Sequence, residues 1–380
     1  MKTLQNFTKT GLVAALAALS LAFGVSAASA DVITWHSATV NTSVSYYASV
    51  AYGDGHFVAI NRQGDVVSST DGITWNEPST ALNGNYFTDI TFGDGKFVAV
   101  GDNNVAVSTD GGATWDFDTS AFTNYYYHVT FGNGTFVAAE GDNCYGNAAY
   151  STDGINWSEV STASTNVCWQ NVAFGDGKFV LVSDVGIDVS TDNGQSWTNV
   201  HTNSDPSYQG LRSVGYGNGK WIALGLPYSN PGADAIVYTS TDATNWTETA
   251  SVPVVKDSTW NGVEYFSGTW IAYSQTNTSG AINLAVSTDD GATWTGSNYD
   301  GYGIYGMASD GTQLVYVGEY TGSTVPTGRT DSSIAYTNVP SAVTPPTELA
   351  ATGVDGSMAG VYALFGLLLV GAGTMVLRRK

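Results

Sequence analysis

Positive charge is scarce in this chain. Of 380 residues only 12 are Lys or Arg against 33 Asp or Glu, a formal net charge of −21 at pH 7. Two of the basic residues, Lys2 and Lys9, stand near the N-terminus and three, Arg378, Arg379 and Lys380, end the chain. Everything between them carries Arg62, Lys96, Lys178, Arg212, Lys220, Lys256 and Arg329. A surface so acidic repels phosphate backbones and anionic membranes, so nucleic acid is excluded as a partner. Histidine is scarce as well: His36, His56, His128 and His201 have no second His or Cys at ligand spacing, and no zinc or haem pattern occurs. No cofactor and no metal are expected. Long apolar runs are confined to the two ends.

What fills the sequence instead is repetition. A ten-residue phrase occurs seven times, from Ala51, Thr91, Thr130, Ala173, Gly215, Glu264 and Ala308, in forms such as TFGDGKFVAV. A second phrase, S-T-D-G-x-x-W or a close variant, carries Asp71, Asp110, Asp153, Asp192, Asp242 and Asp289. In the first, Gly-Asp/Asn-Gly supplies the positive φ of a tight hairpin and F-V-A-V a half-buried strand. In the second, Ser and Asp can bond nearby amides, Gly permits the reversal, and Trp packs against a neighbour. A period of 39 to 50 residues with four short strands per repeat is that of a β-propeller.

Tryptophan sets the blade number. Trp75, Trp115, Trp157, Trp197, Trp246 and Trp294 mark six fourth strands, whereas the seventh repeat ends at SIAYTNV without one. The missing strand is expected at residues 31–35, where DVITW copies the GITW that ends at Trp75. The expectation is an all-β, seven-bladed propeller of four-stranded blades over residues 31–340, closed by its N-terminal strand, which removes the free sheet edges.

The S-T-D-G-x-x-W phrase resembles the Asp-box (BNR) repeat of sialidase-like propellers. That resemblance implies a turn-forming role for the six aspartates. It does not carry over sialidase chemistry: those enzymes use an arginine triad and an Arg-Ile-Pro motif, whereas the repeat-bearing span has only Arg62, Arg212 and Arg329, and Arg62 is followed by Gln63-Gly64. Sialidases are also six-bladed.

The ends read as targeting segments. Residues 1–30 combine Lys2 and Lys9, an apolar run over 11–23 and Ala28-Ser29-Ala30, the form of a secretory signal peptide. Residues 341–353 form a linker closing on Leu349-Ala350-Ala351-Thr352-Gly353, and residues 354–380 an apolar anchor, a transmembrane segment, ending in the basic tail. This order resembles a Gram-positive cell-wall sorting signal of the L-A-x-T-G type, which implies a sortase cutting between Thr352 and Gly353. A plain membrane anchor is the alternative. Either way the propeller is exported to the bacterial cell surface, touching membrane only through its C-terminal segment. The only two cysteines, Cys144 and Cys168, then suggest a disulfide, since both map to the same propeller face at adjacent places.

Function is expected on the face away from the Asp boxes, which carries the non-repeating loops. Aligned first strands place Tyr47, Phe87, Tyr126, Trp169 and Trp260 at one position, offered as stacking surfaces. Nearby stand Asp89, His128, Asn171 and Arg212 as polar readers, an arrangement suited to sugar rings. Packing between blades competes as a role for the aromatics. The leading expectation is a non-catalytic binding or adhesion propeller for glycans or an extracellular protein. The alternative is a secreted glycosidase, for which Asp89, Glu140, Asp142 and Asp184 are the candidate carboxylates. A third reading is an assembly factor like the Asp-box propellers that help build photosystem II.

Overall fold

The computed structural model describes residues 35–338, apart from 42–43, 45, 78–81, 83, 203–207, 228–234, 253–259, 276–282, 298–301 and 321–332. The expected signal peptide, linker, Leu349, Thr352, Gly353 and the apolar tail lie outside the described residues.

The repeats fold into seven antiparallel blades. The N-terminal segment supplies β1 (His36–Ser37) and β2 (Thr39–Val40). Blade 1 follows as β3 (Ser49–Gly53), β4 (His56–Ile60), β5 (Val66–Ser69) and β6 (Thr74–Trp75). Its fourth strand joins the sheet through the Ser68–Asn76 bridge. The first strands of blades 2 to 7 are Asp89–Gly93, Tyr126–Gly132, Trp169–Gly175, Tyr208–Gly217, Trp260–Phe266 and Tyr302–Ser309. Seven apolar clusters fill the wedges between neighbouring blades, in place of one central core.

Each phrase has a distinct local job. The turn between β3 and β4 has positive φ at Asp54 and Gly55, the two-residue type I′ loop that matches strand twist. Gly53 opens the tripeptide but has no positive φ, so it is not a turn glycine. A Cβ there would overlap the ring of Phe92 in the next blade. The same holds for Gly93 with Phe131, Gly132 with Phe174, Gly175 with Tyr216 and Gly217 with Tyr265. These glycines admit an aromatic ring from the neighbour at five successive junctions.

In the other turn, Ser69 Oγ donates to Asp71 Oδ1 (2.9 Å) and accepts from Gly72 N (2.8 Å). Asp71 Oδ1 also accepts from Ile73 N and Thr74 N, and Trp75 Nε1 donates back to Gly72 O at 3.0 Å. Burial would raise the Asp153 pKa, but bonds from Asn156, Ile155 and Ser151 outweigh it and hold the carboxyl well below its usual range. In each of the six phrases the aspartate Oδ1 accepts from an amide of its own turn, the turn-forming role expected of it.

Closure differs in detail from the expectation. Among the described residues the strand completing blade 7 is His36–Ser37, paired with the Ile334–Asn338 strand, and residues 31–34 lie outside the described residues. In blades 2 to 6 the fourth strand likewise begins just after the tryptophan, as Asp116–Asp118 follows Trp115. Trp35 instead packs edge-on against Tyr316, with centroids 4.7 Å apart. The chain then crosses to blade 1, where β2 pairs in parallel with β6. Ala38 N donates to Ile334 O (3.0 Å) and Thr39 N to Ile73 O (2.7 Å), so adjacent residues bond to blades 7 and 1.

Candidate functional site

Antiparallel order sends the two-to-three loops and the inter-blade connections to one face, and the hairpins and S-T-D-G turns to the other. The structure joins Cys144, in the two-to-three loop of blade 3, to Cys168, at the entry to blade 4, on the first of these faces. The axis holds a cavity of about 670 Å³, which the first strands of all seven blades line.

The five aromatics do not line it. Tyr47, Phe87, Tyr126, Trp169 and Trp260 are each 0% exposed, and each belongs to an inter-blade cluster. Their proposed role as stacking surfaces is therefore corrected: a ring wedged between two sheets has no face left for a sugar. Asp89, His128, Asn171 and Arg212 do reach the channel.

A local irregularity explains which residues face inward. Pairing slips between Tyr126 and His128, Trp169 and Asn171, Leu211 and Ser213, and Trp260 and Gly262. A bulge of this kind sets two residues against one and breaks the strand's alternation. Tyr127, Gln170, Arg212 and Asn261 are the extra residues, and all four line the channel. Strict alternation would have turned Tyr127, Gln170 and Asn261 away, which is why sequence reading passed over them.

At the mouth on the loop face, Arg212 Nη1 donates to Gln170 Oε1 at 2.6 Å, and its other terminal nitrogen lies 3.4 Å from Asp184. Tyr127 Oη donates to Asp102 and Tyr305 Oη to Glu319 Oε2 (3.1 Å). Burial and the Glu319 charge push the Tyr305 hydroxyl up to about 12. Arg62 is exposed on the same rim. His128 lies deeper, where burial, aided by the Arg62 charge, lowers its pKa to about 4 and keeps the ring neutral.

Asp89 ties three blades together. It accepts from Ser49 Oγ of blade 1 (2.7 Å), from its own neighbour Ile90 N (2.9 Å) and from Val129 N of blade 3 (2.9 Å). Burial still raises its pKa to about 6, against the lowering effect of those bonds. Asn171 repeats the pattern more weakly, accepting from Val214 N at 3.4 Å. Both are thus braces between blades as well as channel groups.

The other carboxylates named for a glycosidase are dispersed. Glu140 is fully buried and accepts from Tyr145 N and Asn147 N of its own loop. Asp142 is exposed and caps Asn143 N, and Asp184 pairs with Arg212. One acid was missed. Glu264 lines the channel where the other repeats place Ala51, Thr91, Thr130, Ala173, Gly215 and Ala308. Burial, and then the Asp89 charge, raise it to about 7. The signal was present in the seven-phrase alignment, where an acid replaces a small residue once. Among the described residues no group of three or more His, Cys, Asp or Glu is placed to hold a metal ion.

These features define the chain as a seven-bladed β-propeller with a polar axial channel. No family model matches it, and no curated protein does. Solved structures do. It is similar to YCF48 bound to D1 peptide, with 16% identity, TM-score 0.57, and coverage of 82% of this chain and 98% of that one. It is similar to a catalytically inactive virginiamycin B lyase from Staphylococcus aureus with quinupristin, at 12% identity and TM-score 0.64 over 81% and 100%. The WD40 β-propeller domain of Doa1 gives 10% identity and TM-score 0.58 over 80% and 96%. At such identities the likeness extends to the fold alone.

Proposed function

We propose that this protein is a non-catalytic binding propeller of the Asp-box type, displayed at a bacterial cell surface, which takes a glycan or protein ligand at the loop-face mouth of its channel. The observation that carries this reading is the asymmetry of the two faces. The loop face gathers Arg62, Tyr127, His128, Gln170, Arg212 and Tyr305 around one opening. On the opposite face each of the repeated aspartates accepts through Oδ1 from an amide of its own turn. A concave site with a few convergent polar groups is the usual form of a ligand pocket, and about 670 Å³ falls within the usual size. Two of the similar structures hold a ligand, the D1 peptide in one and quinupristin in the other.

Display rests on the sequence of the two ends. Replacing Thr352 and Gly353 by Ala should leave the protein extractable by detergent instead of released by wall-digesting enzymes. A wild-type protein already fully soluble in detergent would make the tail a membrane anchor and remove the sortase from the account.

The ligand class is tested with glycan and peptide arrays probed by the purified full-length protein, beside a panel of glycosidase substrates. Binding without turnover is expected. Hydrolysis that disappears on substituting Asp89 or Asp184 by their amides would make the chain a glycosidase instead.

A further inference from the structure

Charge is ordered along the channel. Among the described residues the basic groups are Arg62, Lys96, Lys178, Arg212 and Lys220. The lysines sit on the hairpin face and are engaged there, Lys96 with Asp94 (3.2 Å), Lys178 with Asp176 (2.8 Å) and Lys220 with the Asp290 carbonyl (3.0 Å). Both arginines stand at the opposite mouth, lining the channel. Arg212 is held in place by Gln170 and Asp184, and its Nε is buried without a partner. The Arg62 charge bears on both His128 and Tyr305, from blades 3 and 7, which sets it over the opening.

Negative charge lies deeper. Asp89 is committed to its three donors. Glu264 makes no hydrogen bond or ion pair with any described residue, although it shares its wall with Phe266 and Tyr273. Hairpin pairing fixes its depth: Glu264 pairs with Ile271 as Gly215 pairs with Ile222. Gly215 is three positions along the same strand from Arg212, which at ~3.3 Å per residue separates the two levels by up to ~10 Å. An acid with no hydrogen-bond partner on the channel wall here replaces a residue that is small in every other blade. Its raised pKa follows from burial and, after that, from the Asp89 charge.

We propose that the channel binds a ligand bearing a carboxylate and an ammonium at the two ends of a short chain, the carboxylate between Arg62 and Arg212 and the ammonium against Glu264. The ligand is thus amino-acid-like, either a free solute or the exposed end of a longer chain. This rests on the mouth being the binding site, and goes beyond it in naming the chemistry.

The test is calorimetric titration of the full-length protein with 6-aminohexanoate, hexanoate and hexylamine. 6-Aminohexanoate should bind at least ~10-fold more tightly than either singly charged probe, since a hydrogen bond to a charged group contributes on the order of one factor of ten or more. Glu264→Gln should abolish the preference over hexanoate. Arg62→Gln, at an exposed position, should abolish the preference over hexylamine. Melting curves confirm that both variants are folded. Equal affinity for the three probes, no binding of any of them, or a preference that survives Glu264→Gln would each overturn the proposal. If array ligands still bind the mouth in those cases, the zwitterion idea fails alone and the binding-face reading stands.

Discussion

The ring of Phe92 occupies the space that a Cβ on Gly53 would need. The relation joins two blades through a glycine with ordinary backbone angles, so what is required there is the missing side chain. Gly53→Ala should therefore destabilise by about 1–3 kcal/mol, the usual cost of overpacking a tight contact. Denaturant melts check this. A variant as stable as wild type would mean that the Phe92 ring moves aside without cost.

Two tryptophans that face a ligand in one reading and a neighbouring blade in the other make a sharper case. Trp169 and Trp260 are fully buried, so Trp169→Ala or Trp260→Ala should lower stability by about 3–5 kcal/mol through cavity formation. Lost binding with an unchanged melt would return these rings to the ligand site.

How far the sequence carried the account can be read from such residues. Seven blades and both turns were legible because Trp, Gly and Asp recur at fixed spacing, and each has a local reason to be there. Trp169 pointed to an interior or a site equally well, since a repeat reports that a position matters and not which side of the strand it occupies. The bulge at Gln170 was illegible, because no particular residue type is needed for it, and it decides what lines the channel. Glu264 was visible as the exception in an alignment of small residues, and its meaning needed the axis to be in place.

The N-terminal clasp gives a third prediction. Thr39→Pro removes the N–H that reaches Ile73 O at 2.7 Å, one residue beyond the bond to blade 7. Loosening this clasp should lower the melting temperature by several degrees, on the scale of about 1 kcal/mol per lost bond, and increase association through the freed edges. An unaltered melt in a monomeric protein would show that closure does not depend on β2.

Stability should depend on pH through the channel acids. Glu264 titrates near 4.5 when unfolded and about 7 when folded, so the folded state holds more protons in that window. Its contribution is present in full below about 4.5 and is lost as pH rises through 7. Asp89 acts in the same sense up to about 6, whereas His128, lowered to about 4, stabilises as pH climbs from there towards 6.5. Glu264→Gln isolates the first effect. The variant should melt higher than wild type at pH 8 and lose that advantage at pH 4. An advantage independent of pH would show that Glu264 is not desolvated in the folded protein.

The central claim is that ligand enters at the loop face. The most direct measurement is the affinity of the full-length protein for its array-selected ligand after attaching a bulky maleimide at one of two single cysteines, Gln170→Cys at the mouth or Ile155→Cys, which is 56% exposed on the opposite face. The label at position 170 should abolish binding and the label at position 155 should leave it unchanged. The reverse pattern would contradict the account and move the site to the side of the S-T-D-G turns.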